Sequence, residues 1–319
     1  ARRGAYRRGW LPSRRLPAPV VSVGNLAAGG SGKTPFVLML AREFLARGRR
    51  PGILLRGWRR DAGGRSDEAE LYHRLCPEAV VAANADRLAA ARLALDGGAE
   101  VLLLDDGFQH RRLHRDLDLV LIDAVSPWGG GNCLPGGLLR EFPSALADGV
   151  QAIVITRSDQ REPALIRELR KTIVRLAPNA AIFTARHRPA RLRRLDGGDV
   201  GLAALLDLDV AAFSGIARPE AFHKTLESLG ARIVLSFSGP DHADFGPEAI
   251  APALAQAGRL GARLVTTEKD AAKTAFDQLA AEKAGGDIWA LGVDMELDRP
   301  GELLGLIEQA LETGGGDVV

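Results

Sequence analysis

The stretch 20-VVSVGNLAAGGSGKTPFVLML-40 decides how this chain is read. An apolar run suited to a buried strand leads into a glycine-rich turn, and the turn opens into a helix. Its centre, AAGGSGKT at 27–34, is nearly the phosphate-binding pattern G-x-x-x-x-G-K-[ST]. Gly29, Gly30 and Gly32 allow backbone N–H groups to close around phosphates. Lys33 can then reach the β- and γ-phosphates, and the Thr34 hydroxyl can coordinate Mg²⁺. Ala27 replaces the first glycine of the pattern, a change that a negative φ tolerates. The candidate nucleotide contacts are Ala27, Ala28, Gly29, Gly30, Ser31, Gly32, Lys33 and Thr34. The plainer alternative is a glycine-rich turn that binds nothing.

Outward from this stretch, apolar runs at 51–56, 79–83, 101–105, 118–123 and 150–156 alternate with helical patterns at 66–75, 85–97 and 161–176. Continuous apolar strands separated by helices predict an α/β fold, a P-loop NTPase-type and mostly parallel sheet covered on both faces. A Gly/Pro-rich excursion at 124–149 interrupts the alternation and reads as a flap or loop. After a strand at 181–184, the Arg-rich stretch RHRPARLRRLDGGD reads as a connector. A second βα series follows, with strands at 209–213, 232–236, 262–266 and 288–293 and helices at 219–229, 247–259, 270–284 and 300–312. The expected organisation is an arm at 1–19, a P-loop core at 20–185, a connecting segment at 186–208 and a smaller α/β lobe at 209–319. That lobe has no phosphate loop of its own, and its last helix can pack back on the core. A ligand site between the lobes is the usual α/β arrangement.

Composition narrows the partners. The 319 residues are 46% hydrophobic and carry a net charge of +2, which makes no general case for nucleic-acid binding. Only six of the 42 basic residues are Lys, and Lys33 is the only one before position 171. Cys76 and Cys133 neither form a disulfide framework nor have metal-ligand spacing, which fits a reducing compartment. No run approaches the ~18 apolar residues of a membrane-spanning helix, and no signal peptide is visible. The chain begins at Ala1 without Met, which leaves open whether a segment precedes it. Residues 1–19 carry six Arg and no acid beside Tyr6, Trp10 and Leu11. They read equally as a solvated arm or as a contact with an anionic membrane surface.

Five stretches carry candidate chemistry. In VLLLDDGFQH (101–110) a strand delivers Asp105 and Asp106 at its C-terminal end, where an acid holds Mg²⁺ in nucleotide-binding folds. Adjacent side chains alternate across a strand, so the pair can share one task only if the chain leaves strand geometry, which Gly107 permits. Gln109 and His110 follow and suit either substrate contact or structure. In RGWRRDAGGRSDEAE (56–70), Ser66, Asp67 and Glu68 read as a cap with acidic first-turn residues. The same loop follows a parallel strand, so a carboxylate there can also accept a proton at the phosphate-loop edge. In SFSGPDHADFG (236–246), His242 between Asp241 and Asp244 is an acid/base candidate or a loop hydrogen-bonder. ITRSD (155–159) is faintly like the base-reading pattern [NT]-K-x-D, with Arg157 in place of Lys. LVTTEKDAAK (264–273) ends a strand in a capping pattern or a lobe-closure contact.

Taken together, the stretches RLPAPVVSVGNLAAGGSGKTP, SDEA, LLLDDGFQHRRLHRDLDLVLIDA, LPGGLLRE, AFSGIARPEAFHKTLESLGA, PDHADF and VTTEKDAAK resemble the tetraacyldisaccharide 4′-kinase family, essentially end to end. The resemblance implies ATP-dependent phosphorylation of the 4′-hydroxyl of a tetraacylated glucosamine disaccharide 1-phosphate, giving lipid IVA. It implies a peripheral protein at the cytoplasmic face of the inner membrane of a Gram-negative bacterium, with ATP and Mg²⁺ and no protein partner. It places Thr34, Asp105 and Asp106 at the metal, Lys33 and Asp106 in catalysis, and Asp67 with His242 as a catalytic pair. Ser66, Ala69 and Ala243 depart from the family's Gly, Pro and second His. Asn25, Arg56, Arg59, Gln109 and His110 are candidate substrate contacts, joined by Arg60 for headgroups, and Trp128, Leu138 and Leu139 are candidates for sheltering acyl chains. Two other classes fit the generic motifs: a P-loop kinase of a soluble acceptor, and a non-enzymatic nucleotide-gated binding protein.

Overall fold

The structure, a computed structural model, describes residues 2–57, 66–216, 218–239, 245–281 and 287–314. These form two compact units, one running to His187 and resuming at Met295, the other spanning Arg188–Asp294.

The first unit opens with the short helix α1 (Arg2–Arg7) and alternates β1 (Val20–Asn25), α2 (Lys33–Ala46), β2 (Pro51–Leu55), α3 (Asp67–Leu75), β3 (Val80–Ala83), α4 (Arg87–Asp96), β4 (Val101–Asp105), β5 (Leu117–Asp123), β6 (Ala152–Thr156) and α5 (Pro163–Leu176). The first half of β7 (Ala181–Arg194) completes its sheet, in the order β7-β6-β5-β1-β4-β2-β3 with every pair parallel. Alternation along each strand assigns side chains to faces. Val21, Val23, Ile53, Leu55 and Leu103 pack with Phe36, Leu40 and Phe44 of α2 and Tyr72 of α3. Val20, Leu54, Leu102 and Leu104 face the other way, onto Leu88, Ala91 and Ala94 of α4. Ile153 and Ile155 pack on Leu169 and Ile173 of α5. Both faces are covered, which is why the strands read as unbroken apolar runs.

In the second unit β8 (Gly198–Val200) pairs antiparallel with the outer half of β7. The series continues with β9 (Asp209–Ser214), α6 (Pro219–Ser228), β10 (Arg232–Ser238), α7 (Pro247–Arg259), β11 (Arg263–Thr267), α8 (Glu268–Ala271), α9 (Thr274–Ala281) and β12 (Ile288–Leu297). The parallel order is β10-β9-β11-β12. Ala211, Phe213 and Leu264 pack on Ile250 and Ala253 of α7 and Phe276 of α9, while Val210, Ala212 and Val265 face Phe222 and Leu226 of α6.

Two expectations change. The connector read at 186–208 is largely strand, because β7 runs on to Arg194 and β8 folds back on it. Its arginines hid the strand pattern, yet several are matched: Arg186 donates to Glu296 at 2.7 Å, Arg191 to Glu268 and Asp294, and Arg193 to Asp199 at 3.0 Å. The helix read at 270–284 is two shorter ones: Thr267 accepts from the Asp270 N–H to start α8, and the chain turns at Lys273. The last helix, α10 (Pro300–Gly314), packs back on the first unit, where Leu303, Ile307 and Leu311 join the α2 face of the core.

Candidate active site

The phosphate-loop sequence forms the turn between β1 and α2. Gly32 caps α2 with φ 85° and ψ 22°, and Gly29 has φ 112°, both in the left-handed region that glycine alone enters freely. A Cβ on Gly32 would also lie 2.8 Å from His187 Nε2. Among the described residues no side chain caps α2, and no acid occupies its first turn. The N–H groups and positive dipole end of a 14-residue helix are therefore left open to an anion.

The loop is braced from below. The Asn25 amide donates to Ser31 Oγ at 2.8 Å, and the Gln109 amide donates to the Asn25 carbonyl at 2.9 Å. Asn25 is only 1% exposed, so its side chain supports the loop rather than facing a substrate, a correction to its reading as a substrate contact. The 124–149 excursion is laced to the same loop: Ala28 donates to the Leu138 carbonyl and Arg140 to the Leu26 carbonyl, each at 2.7 Å. Leu139 is fully buried and packs in the core with Leu26 and Phe108, so it is no acyl-chain contact, whereas Leu138 is half exposed.

The carboxylate pair diverges as the backbone turns. Asp105 ends β4, and Asp106 already has φ 57°, so strand geometry is lost one residue before Gly107. Gly107 matters for space: a Cβ there would lie 2.6 Å from Ser22 Oγ. Asp106 lies 3.4 Å from Lys33 Nζ through Oδ1 and pairs with the Arg140 guanidinium through Oδ2. Burial alone would raise its pKa, but the two cations outweigh burial and hold it below the usual carboxylate range. Asp105 is more deeply buried, and desolvation pushes its carboxyl up against the pull of Lys33. Its Oδ2 accepts from the Tyr72 hydroxyl at 2.9 Å, leaving Oδ1 buried without a hydrogen-bond partner among the described residues. Thr34, Asp105 and Asp106 offer oxygen donors of the kind Mg²⁺ prefers. Among the described residues no group of three His, Cys, Asp or Glu side chains forms a ready metal site.

Asp67 opens α3, partly buried, with Ser66 at the cap and Glu68 and Glu70 in the same turn. The helix is fixed by fully buried Tyr72, whose hydroxyl reaches Asp105. Burial first, then the Asp105 charge, raises the Tyr72 pKa well above its ordinary value and keeps the phenol protonated. Arg56 is exposed at the end of β2, while Arg59, Arg60 and His242 lie outside the described residues.

Sequence reading missed three neighbours. Tyr72 sits in an apolar helix stripe, where a buried phenol demands a polar partner. Arg87 follows β3 at the same sheet edge and is 3% exposed; burial lowers its pKa while Asp105 and Asp106 oppose that shift. Its signal was a charged residue just after Asp86, the cap of α4. Arg140 had no local signal, because its partner Asp106 is 34 positions away.

The chain matches the family described as tetraacyldisaccharide-1-P 4′-kinase over residues 1–312. It is 43% identical to the tetraacyldisaccharide 4′-kinase of Anaeromyxobacter dehalogenans (strain 2CP-C), over 95% of this chain and 85% of that one. The enzyme of the same name from Chromobacterium violaceum is 38% identical over 93% of this chain and 86% of its own. Among solved structures, LpxK from Aquifex aeolicus in complex with ATP superposes with a TM-score of 0.73 at 32% identity, covering 97% of this chain and 94% of that one. A match of this extent, on a chain that builds an open phosphate loop beside a carboxylate pair, makes it a member of the tetraacyldisaccharide 4′-kinase family.

Proposed function

We propose that this chain transfers the γ-phosphoryl group of ATP to the 4′-hydroxyl of a tetraacylated glucosamine disaccharide 1-phosphate, giving lipid IVA. The observation that carries the reading is the meeting of Lys33 and Asp106 at 3.4 Å beside the open end of α2. There the fold brings a phosphate-loop cation to a strand-end carboxylate. Lys33, Arg140 and the N–H groups of the turn neutralise charge on the transferred group and on the leaving ADP. Thr34, Asp105 and Asp106 would hold Mg²⁺, which would supply further neutralisation of phosphate charge.

A sugar hydroxyl is a weak nucleophile and needs a proton acceptor at the moment of transfer. Asp67 serves as that base in this reading, oriented by His242. Its support is its place at the start of α3, a helix held to Asp105 through Tyr72. The family resemblance implies the pairing of these two positions.

The acceptor carries lipid chains, and one face of the first unit suits them. Arg3 of α1 pairs with Asp148 and donates to the Ser144 carbonyl at 2.9 Å, which docks the basic arm on the 124–149 excursion. Trp10, 70% exposed, with Leu11, Leu134, Leu138 and Phe142 gives that region apolar surface beside arginines. This combination fits peripheral attachment to an anionic leaflet. Among the described residues no helix is long and apolar enough to cross a membrane. The relatives come from Gram-negative bacteria, and the cytoplasmic face of the inner membrane, where ATP is available, is the proposed location.

ADP release with and without detergent-dispersed acylated disaccharide tests the activity, and Asp67→Asn tests the base. That variant should lose about 10²–10⁴ in turnover while binding nucleotide normally. An Asp67→Asn protein nearly as active as the parent would remove Asp67 from the mechanism. Failure of the acceptor to stimulate a folded, ATP-binding sample would overturn the activity itself.

A further inference from the structure

The ITRSD stretch (155–159) has no task in the chemistry above, yet it touches the phosphate loop. Thr156 ends β6, is fully buried, and donates its hydroxyl to the Ser31 carbonyl at 2.9 Å. We propose that Thr156 is a positioning residue for the nucleotide: by holding the Ser31 carbonyl it aims the next N–H, that of Gly32, into the phosphate cradle.

The argument is one of peptide geometry. The Ser31 carbonyl and the Gly32 N–H belong to one planar trans peptide and point in opposite directions. Fixing the oxygen on Thr156 therefore turns the hydrogen outward, away from β6. Gly32 can accept this orientation because its left-handed backbone costs glycine little. Ser31 is gripped a second time, its Oγ accepting from Asn25 at 2.8 Å, so β1 and β6 hold the same residue from two sides.

Thr156 is itself held. Its carbonyl accepts from the Ala124 N–H at 2.9 Å. The next residue, Arg157, has φ 53° and donates from Nε to Asp123 Oδ1 at 3.0 Å, in an ion pair with both side chains buried. Ser158 donates to the Ala185 carbonyl at 3.1 Å, tying the segment to β7. The space a Gly32 side chain would need is filled by His187 and by Met295 Cε, 3.0 Å from that point. Burial first, then the Arg157 charge, lowers the His187 pKa to about 4, so the ring next to the loop is neutral at pH 7 and does not compete for the anion. ITRSD thus supports the phosphate loop through its Thr, where the pattern it faintly resembles would suggest base reading.

This inference rests on reading 27–34 as the nucleotide loop, and the experiment separates the two. ATP and ADP affinity, KM for ATP, KM for the acceptor, kcat and the nucleotide-induced rise in Tm are measured for Thr156→Val, Thr156→Ser and Lys33→Met. Thr156→Val keeps the side-chain shape and leaves the Ser31 carbonyl buried without its donor. It should weaken nucleotide binding and raise KM for ATP about tenfold, with acceptor KM and kcat at saturating ATP within about twofold of the parent. Thr156→Ser retains the hydroxyl and should restore affinity. A folded Thr156→Val protein that binds nucleotide like the parent, or a Thr156→Ser protein as weak as Thr156→Val, overturns the assignment. If Thr156→Val does not fold, Thr156→Ser and Thr156→Cys decide: a strong Ser and a weak Cys variant support the role, and equal affinities overturn it. Should Lys33→Met also leave nucleotide affinity unchanged, the loop reading itself fails, which is a distinct result.

Discussion

The turn after β1 and the turn after β9 occupy corresponding places in two parallel sheets, each a strand end, a glycine and then a helix. In the second unit one donor of the turn is satisfied from within. The Gly215 N–H donates to Asp270 Oδ2 at 3.0 Å, Thr267 donates to the same oxygen at 2.8 Å, and Lys273 neutralises the carboxylate. In the first unit, among the described residues, the helix after the corresponding turn has no acid in its first turn, where α6 has Glu220. One unit supplies its own anion and the other waits for one. Shared βα architecture therefore says little about binding; what distinguishes the turns is which backbone donors the chain leaves unsatisfied.

The largest test of this contrast removes the internal counterion. Lys273→Met leaves Asp270 buried and unpaired and also removes a cation lying 5.2 Å from the Phe245 ring centroid. It should cost about 3–5 kcal/mol of stability in denaturant unfolding. Nucleotide affinity of the folded fraction should not change, and a large loss of affinity at unchanged stability would break the contrast. The next test concerns His187, beside the open turn. Its folded pKa of about 4 lies below the ordinary 6.5, so the unfolded chain binds a proton that the native chain refuses between these values. Stability should fall as pH drops from 6.5 towards 4, by roughly 3 kcal/mol from this group, with no contribution above 6.5. His187→Gln should flatten that part of the stability–pH curve relative to the parent; parallel curves would show that the ring is not the sensor. The last test is Gly32→Ala, whose left-handed backbone costs about 1–2 kcal/mol for a non-glycine residue and whose Cβ must also displace His187 Nε2, 2.8 Å away. It should nonetheless impair nucleotide binding, whereas Gly215→Ala, whose Cβ would meet Phe245 at 2.5 Å, should disturb only folding. Equal nucleotide affinities in the two variants would erase the distinction between the turns.

Much of this was legible in residue order where the physics is local. Strands buried on both faces announce themselves as VVSV or VLLL, and a glycine turn before Lys33 announces an open helix end. Residues whose roles depend on distant partners were silent. Tyr72 and Asp105 are 33 positions apart, and Thr156 and Ser31 are 125 apart. The Arg-rich β7 misled for the complementary reason, since its polar face is completed by Glu268, Asp294 and Glu296, which only folding brings beside it. Asn25 reads as a substrate contact because a polar residue beside a ligand loop looks the same in sequence whether it faces the ligand or the core.

The seam between the phosphate loop and the 124–149 excursion is made of peptide groups: Ala28 to Leu138 and Arg140 to Leu26. A seam of this kind does not depend on which side chains its residues carry. Outward-facing positions such as Leu138 and Phe142 can therefore change without moving the turn after β1. The fold thereby separates two kinds of heritable change: side-chain substitutions, which leave the seam intact, and backbone insertions or deletions, which would break it.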